Sequence, residues 1–346
     1  MGDQFITKNN SLSIKGIAII MMIIHHLFAF PDRTYSGGYV SIYSINNIPV
    51  EYYLGEIGKI CVSMFLFLGG YGTYKIYKED INYQQVISRV IKLYINYWIV
   101  FITFVPLGVI LGKINVNFKS LFLNFIAVSS SINNEWWFFI DYIVLVIFYP
   151  LLVKLICRYN KCKIILCSFL TFCIGSIANV ILYRINITMF EFIFNIMNLQ
   201  FMFISGIIIC KYKIYDYINE YVKKRWQYTI MIIVSILILF MFPIKTLIYS
   251  IITPILIFSL IKIIKESKIL IFLGKHSNNI WLTHTFFCYY YFKELTFMPR
   301  YSILIVIWTI VLSLISSIFL NKFKDILNKI FKSIKSYSRN IYNLKS

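Results

Sequence analysis

The chain has 346 residues, 59% of them hydrophobic, with a formal net charge of +20 and a mean hydropathy of +0.74. Soluble domains hold roughly 45–50% apolar residues, so an ordinary soluble fold is excluded. Runs of about 20 apolar residues recur from end to end, each long enough to cross ~30 Å of hydrocarbon, and they predict an all-α, polytopic transmembrane bundle. The positive charge does not point to nucleic acid, because the Lys and Arg residues lie in short segments between apolar runs, where membrane proteins collect them on the cytoplasmic side.

The first apolar run, placed at 14–30, opens as KGIAIIMMIIHH from Lys15 to His26. It has no small-residue cleavage site and carries its own histidine pair, so it reads as a span and not a cleaved leader. Further spans are placed at 57–77, 93–112, 136–156, 163–183, 188–210, 227–243, 246–264, 277–293 and 301–321, with a shorter apolar piece at 120–131 that is re-entrant or interfacial. The charges test this assignment. With the N-terminus inside, the inner segments hold Lys8 and Lys15, then Lys75, Lys78, Arg89 and Lys92, then Lys154 to Lys163, Lys211 to Arg225 and Lys262 to Lys275. The outer loops hold only Arg33, Lys113, Lys119, Arg184, Lys245, Lys293 and Arg300. This asymmetry implies about ten spans with both termini cytoplasmic. Two regions follow: a transmembrane domain over 1–321 and a basic tail over 322–346, whose seven cations and one acid suit an anionic lipid surface. The seven cysteines form no CxxC pair and predict no metal site or disulfide framework. No internal repeat or second soluble domain is evident.

Ionisable groups in a bilayer are costly and mark functional positions. Eleven residues of helix return to within roughly 20° of the starting face and rise about 16 Å, so Lys15 and His26 share one stripe while His25 points about 100° away. A cation near the membrane surface with a base deeper on the same stripe suits a long donor, phosphates at one end and a reactive thioester at the other. Snorkelling of Lys15 and interhelical hydrogen bonding by the histidines is the structural alternative. Glu56 and Lys59 are three apart and form either an ion pair or part of a site. Trp136 and Trp137 suit an interfacial aromatic belt as well as a substrate platform. Asp141 is placed to orient a histidine or meet an acceptor hydroxyl, and His284 is open between a structural and a functional role. Glu135 reads as interfacial and His276 as structural or a donor contact.

The pattern of a basic residue, ten intervening residues and a histidine, carried by Lys15 and His26, resembles the integral-membrane acyltransferase 3 family, with Lys where Arg is commoner. Three later segments resemble the same family in the same order: GKICVSMFLFLGGY from Gly58, EWWFFIDYIVLVIFYPLL from Glu135 and GKHSNNIWLTH from Gly274. Gly69 stands where Ser is usual, and the basic aromatic stretch from Arg89 to Trp98 lacks the usual proline.

The resemblance implies an O-acyltransferase, first of all an O-acetyltransferase, that moves an acyl group from acyl-CoA to a hydroxyl of an envelope or exported polysaccharide. On that reading His26 is the general base, with His25 a second base or orienter. Lys15, Arg89 and Lys92 hold the donor phosphates, and Trp136, Trp137, Asp141 and His284 meet the acceptor. The expected partners are acyl-CoA, a polysaccharide or lipid-linked glycan and the bilayer of an inner or plasma membrane, with no metal, no permanently bound cofactor and no nucleic acid. Homo-oligomerisation is left open. The Ile-, Lys- and Asn-rich composition suits an AT-rich bacterial genome. A transporter or flippase of lipid-linked glycan is the main alternative, followed by a membrane glycosyltransferase and a purely structural protein.

Overall fold

A computed structural model of the chain describes residues 5–35, 37–115, 117–185, 191–241, 245–264 and 266–343. Thr7 starts the first helix, its hydroxyl accepting from the Asn10 N–H at 3.0 Å, and α1 runs over Lys8–Phe28. A turn over Pro31–Arg33 and a small hairpin, β1 Ser44–Ile45 against β2 Ile48–Pro49, precede α2 Val50–Gly58 and α3 Cys61–Tyr77. Asn82 and Gln85 then form a reciprocal capping box for α4, Tyr83–Ile110. The short α5 Phe118–Phe125 lies where the extra apolar piece was expected. Next come α6 Trp137–Arg158, α7 Lys161–Arg184 and α8 Glu191–Lys211. The chain continues through α9 Ile214–Tyr221, α10 Arg225–Met241 and α11 Lys245–Ile264. It ends with α12 Lys268–Thr285, α13 Lys293–Phe297 and α14 Ser302–Asn343.

Each expected span falls on a helix, but the edges and the count differ. Among the described residues, eight helices are long and apolar enough to cross a membrane, or nine if α9 and α10, bent by 119° to each other, count as one span. The second span begins earlier than expected, at Val50, and is broken at Lys59–Ile60 into α2 and α3. The ninth span, expected at 277–293, is displaced toward the N-terminus. Its helix starts at Lys268, and Lys275, His276, Asn278 and Asn279 keep it too polar for the apolar set. α14 continues without a break past position 321, so the basic tail prolongs the last helix.

Packing fixes the helices that carry the site. α1 and α12 run parallel. A Cβ on Gly16 would collide with the Leu270 carbonyl, and a Cβ on Gly274 would collide with the Leu12 carbonyl. Because a Cβ leans toward the helix N-terminus, these reciprocal contacts place Gly16 level with Gly274. Ten residues further along each helix stand His26 and His284, and their rings meet with centroids 5.0 Å apart. The start of the pair is tied as well, Asn9 donating to Glu266 at 2.9 Å. α7 is held to α8 by three polar rungs, Ser168–Gln200, Ser176–Asn198 and Asn179–Asn195, the kind of hydrogen-bonded contact that joins helices in lipid.

Candidate functional site

Between α1, α3, α4, α6 and α12 lies a cavity of about 1160 Å³. Five cations line it, Lys8, Lys15, Lys75, Arg89 and Lys92, and no carboxylate does among the described residues. Like charges repel, and such a concentration of cations without carboxylates creates a strongly positive potential that suits a polyanion. Lys15 is half-buried on α1 and has no hydrogen bond or ion pair among the described residues. Arg89 is oriented by α6, donating to the Tyr142 hydroxyl at 2.9 Å, and by the Thr73 hydroxyl. Lys75 donates to the Ile6 carbonyl at 2.6 Å. Phe138, Phe139 and Trp281 add an aromatic wall to the cavity. The structure thus brings Lys15, Arg89 and Lys92 into one cavity. His26 is not among the residues that line it.

One turn beyond Trp281 begins the histidine cluster. His284 is fully buried. Its Nδ1 lies 2.8 Å from the Trp281 carbonyl and 3.1 Å from that of Ile280. Carbonyls only accept, so Nδ1 carries the proton and donates, and Nε2 keeps its lone pair. That Nε2 is buried and has no hydrogen-bond partner among the described residues, a costly condition unless a ligand uses it. His25 faces the other way. Its Nδ1 donates to the Gly55 carbonyl at 2.8 Å, fixing it against α2, and its ring meets that of His26 edge-on.

His26 stands between these two and meets a charged group that its sequence context does not announce. Its Nδ1 is 3.4 Å from the Tyr289 hydroxyl and 3.9 Å from Oε1 of Glu135. Arg33, in the turn after α1, donates to the same Oε1 at 3.0 Å, and the Tyr290 hydroxyl donates to Oε2 at 3.2 Å. A single π-helical turn over Phe286–Tyr290, continuing α12, supplies both tyrosines. Such turns insert a residue into the helical register and recur at functional sites. The side chains of His26 and Glu135 are each 12% exposed.

The remaining expected residues divide. Trp136 is buried, its indole N–H donating to the Leu282 carbonyl at 3.0 Å and its ring packed against Tyr97 and Phe286; it sits in the packing beside the cluster. Trp137 is 37% exposed and stacks edge-on with Phe138. Asp141 is 2% exposed, with no hydrogen bond or ion pair among the described residues, deeper than an outer rim position. His276 bonds Ser317 of α14 at 2.8 Å. Nothing in the local sequence singles out Arg33, Tyr289 or Tyr290 as neighbours of His26, and the one signal for Glu135 is its position beside the tryptophan pair.

A comparison with curated proteins and with solved structures finds no match. Residues 12–324, nearly the whole chain, match the family model described as an acyltransferase domain. That stretch contains four of the five cavity cations, the histidine cluster and the Glu135 turn. The protein is a multi-pass membrane acyltransferase, and its chain belongs to the acyltransferase 3 family.

Proposed function

We propose that the protein is an O-acyltransferase, in the first instance an O-acetyltransferase, that carries an acyl group from acyl-CoA to a hydroxyl of an envelope or exported polysaccharide. The observation that carries this reading is the cavity with five cations and, among the described residues, no acid, whose α1 wall ends at Lys15, on the helix face that leads on to His26. A donor with phosphates at one end and a thioester at the other matches both its charge and its direction. Lys15, Arg89 and Lys92 hold the phosphates from the cytoplasmic side of an inner or plasma membrane. The cavity also exceeds the roughly 300–1,000 Å³ of ordinary small-molecule pockets, room enough for a nucleotide with an extended arm.

A sugar hydroxyl is a poor nucleophile and needs a general base. His26 takes the hydroxyl proton as the oxygen bonds to the acyl carbon. The C–S bond then breaks, and the thiolate leaves with the electron pair and recovers the proton. His284, with its open Nε2 beside His26, accepts a hydrogen bond from the acceptor, and His25 fixes the His26 ring by packing. On this reading the thioester must pass Trp281, which lines the cavity one turn short of the histidines. Mass spectrometry of envelope polysaccharide from cells with the wild-type protein, none, or His26→Ala tests the reading. Loss of O-acetyl groups in both the null and the variant supports it. Unchanged acylation with a fall in polymer export points instead to a transporter of lipid-linked glycan.

A further inference from the structure

We propose that Glu135 is a positioning residue for His26: its carboxylate fixes the imidazole through the Nδ1 side and balances the positive charge that the ring acquires when Nε2 takes the acceptor proton. The inference rests on the reading of His26 as general base.

Three observations carry it. First, Glu135 is itself held. The turn that bears it is pinned to the α12 segment by Asn133 donating to the Thr285 hydroxyl at 2.8 Å, by the Trp136 indole on the Leu282 carbonyl, and by the Asn134 N–H on the Tyr290 hydroxyl. A carboxylate on so rigid a mount can fix a neighbour. Second, its Oε1 is shared. Arg33 lies 3.0 Å away and His26 Nδ1 3.9 Å away, with the Tyr289 hydroxyl between the two groups at 3.4 Å from each. Third, Glu135 is the one acid facing His26 among the described groups around that ring. The others are His25 on the same helix, Arg33 after it, and His284 and Tyr289 from α12 and its π turn. In its resting state the Arg33–Glu135 pair is neutral. Proton uptake by His26 would leave a net positive cluster in a mostly buried place, and only the Glu135 carboxylate stands close enough to offset it.

The test uses membrane vesicles containing equal amounts of wild-type, E135Q, E135D, H26A or H26A/E135Q protein, with radiolabelled acetyl-CoA and transfer read in the native polysaccharide fraction. E135Q keeps the shape, can still accept from Arg33 through its amide oxygen and can donate from its amide nitrogen to the Tyr290 hydroxyl, but loses the charge. Its maximal transfer should fall about 10–100-fold with an unchanged KM for acetyl-CoA, and E135D should recover part of the loss. In the H26A background, E135Q should add less than about twofold, because a residue that acts through His26 has nothing left to act on. Where H26A transfer falls below detection, the split between maximal rate and KM decides. Wild-type transfer by E135Q, a loss confined to KM, or an equal loss with and without His26 each overturns the proposal. Near-normal transfer by H26A instead removes the base reading beneath it.

Discussion

Gly274→Ala probes the contact that aligns the two histidines. A Cβ there would lie 2.7 Å from the Leu12 carbonyl carbon and closer still to its oxygen, whereas ordinary contact begins near 3.4 Å. Both sides of this contact are backbone, so no rotamer can relieve it, and clearing the carbonyl oxygen requires α1 and α12 to part by about 1–1.4 Å. Overpacking of this kind costs ~1–3 kcal/mol. His26 and His284 ride on the same two helices, so the parting also shifts one ring against the other. A misplacement of about 1 Å in a reacting constellation can cost ~10²-fold in rate. The assays are thermal unfolding in detergent and acetyl transfer in vesicles. The variant should melt below wild type and transfer acetyl at least tenfold more slowly. Gly72→Ala is the stability control, because a Cβ at Gly72 meets nothing within 4 Å, and it should melt with wild type. If Gly274→Ala matches wild type in both assays, the parallel register of α1 and α12 is wrong.

Other variants separate the remaining roles. Lys15→Glu should raise the KM for acetyl-CoA ~10–100-fold, the scale of one lost charge-assisted hydrogen bond, with Lys15→Arg near wild type; a fall in maximal rate alone would contradict a phosphate contact. Trp136→Phe removes the indole bond to Leu282 and should cost ~1 kcal/mol of stability while transfer persists. Trp137→Ala should change the KM for the polysaccharide if the exposed ring meets the acceptor, and titration of acceptor concentration reads this directly. Glu79 lies outside the spans, where a hydrogen bond from Lys211 at 2.9 Å holds its carboxyl below the usual range. With the folded-state value depressed, its contribution is present above the unfolded carboxylate value of about 4.3 and is lost as pH falls through the folded value. The melting difference between wild type and Glu79→Gln should therefore exist at pH 7 and vanish in acid; a difference that grows in acid would refute the pairing.

The architecture was legible where it depends on local pattern. Apolar run length and the alternation of Lys and Arg located the helices, and helical periodicity put Lys15 and His26 on one stripe. The cation cavity was legible for a related reason, since Lys15, Arg89 and Lys92 cluster at the same end of neighbouring spans. What stayed hidden depends on contacts far apart in the chain. Nothing near Glu135 reveals that Arg33, 102 residues away, and Tyr290, 155 residues away, converge on its carboxylate. Nor does sequence show that the Trp136 indole is satisfied by a backbone carbonyl, which moves it from candidate platform to packing. The displaced ninth span has a local cause. Lys275, His276 and Asn279 depress the apolar signal of the true helix start, and the aromatic run over the π turn draws the expected span toward the C-terminus.

The pairing of the first helix with the late α12 has a consequence for biosynthesis. His26 meets a hydroxyl borne 263 residues later, at Tyr289. A ribosome adding about 5–20 residues per second needs roughly 13–50 s to make that stretch. Throughout that time His26 waits in the bilayer without the α12 groups that meet it, and the nascent chain cannot hold the two helices in register. Competence therefore arrives as a late step of membrane insertion, so a chain truncated before α12 would anchor in the membrane and yet transfer nothing.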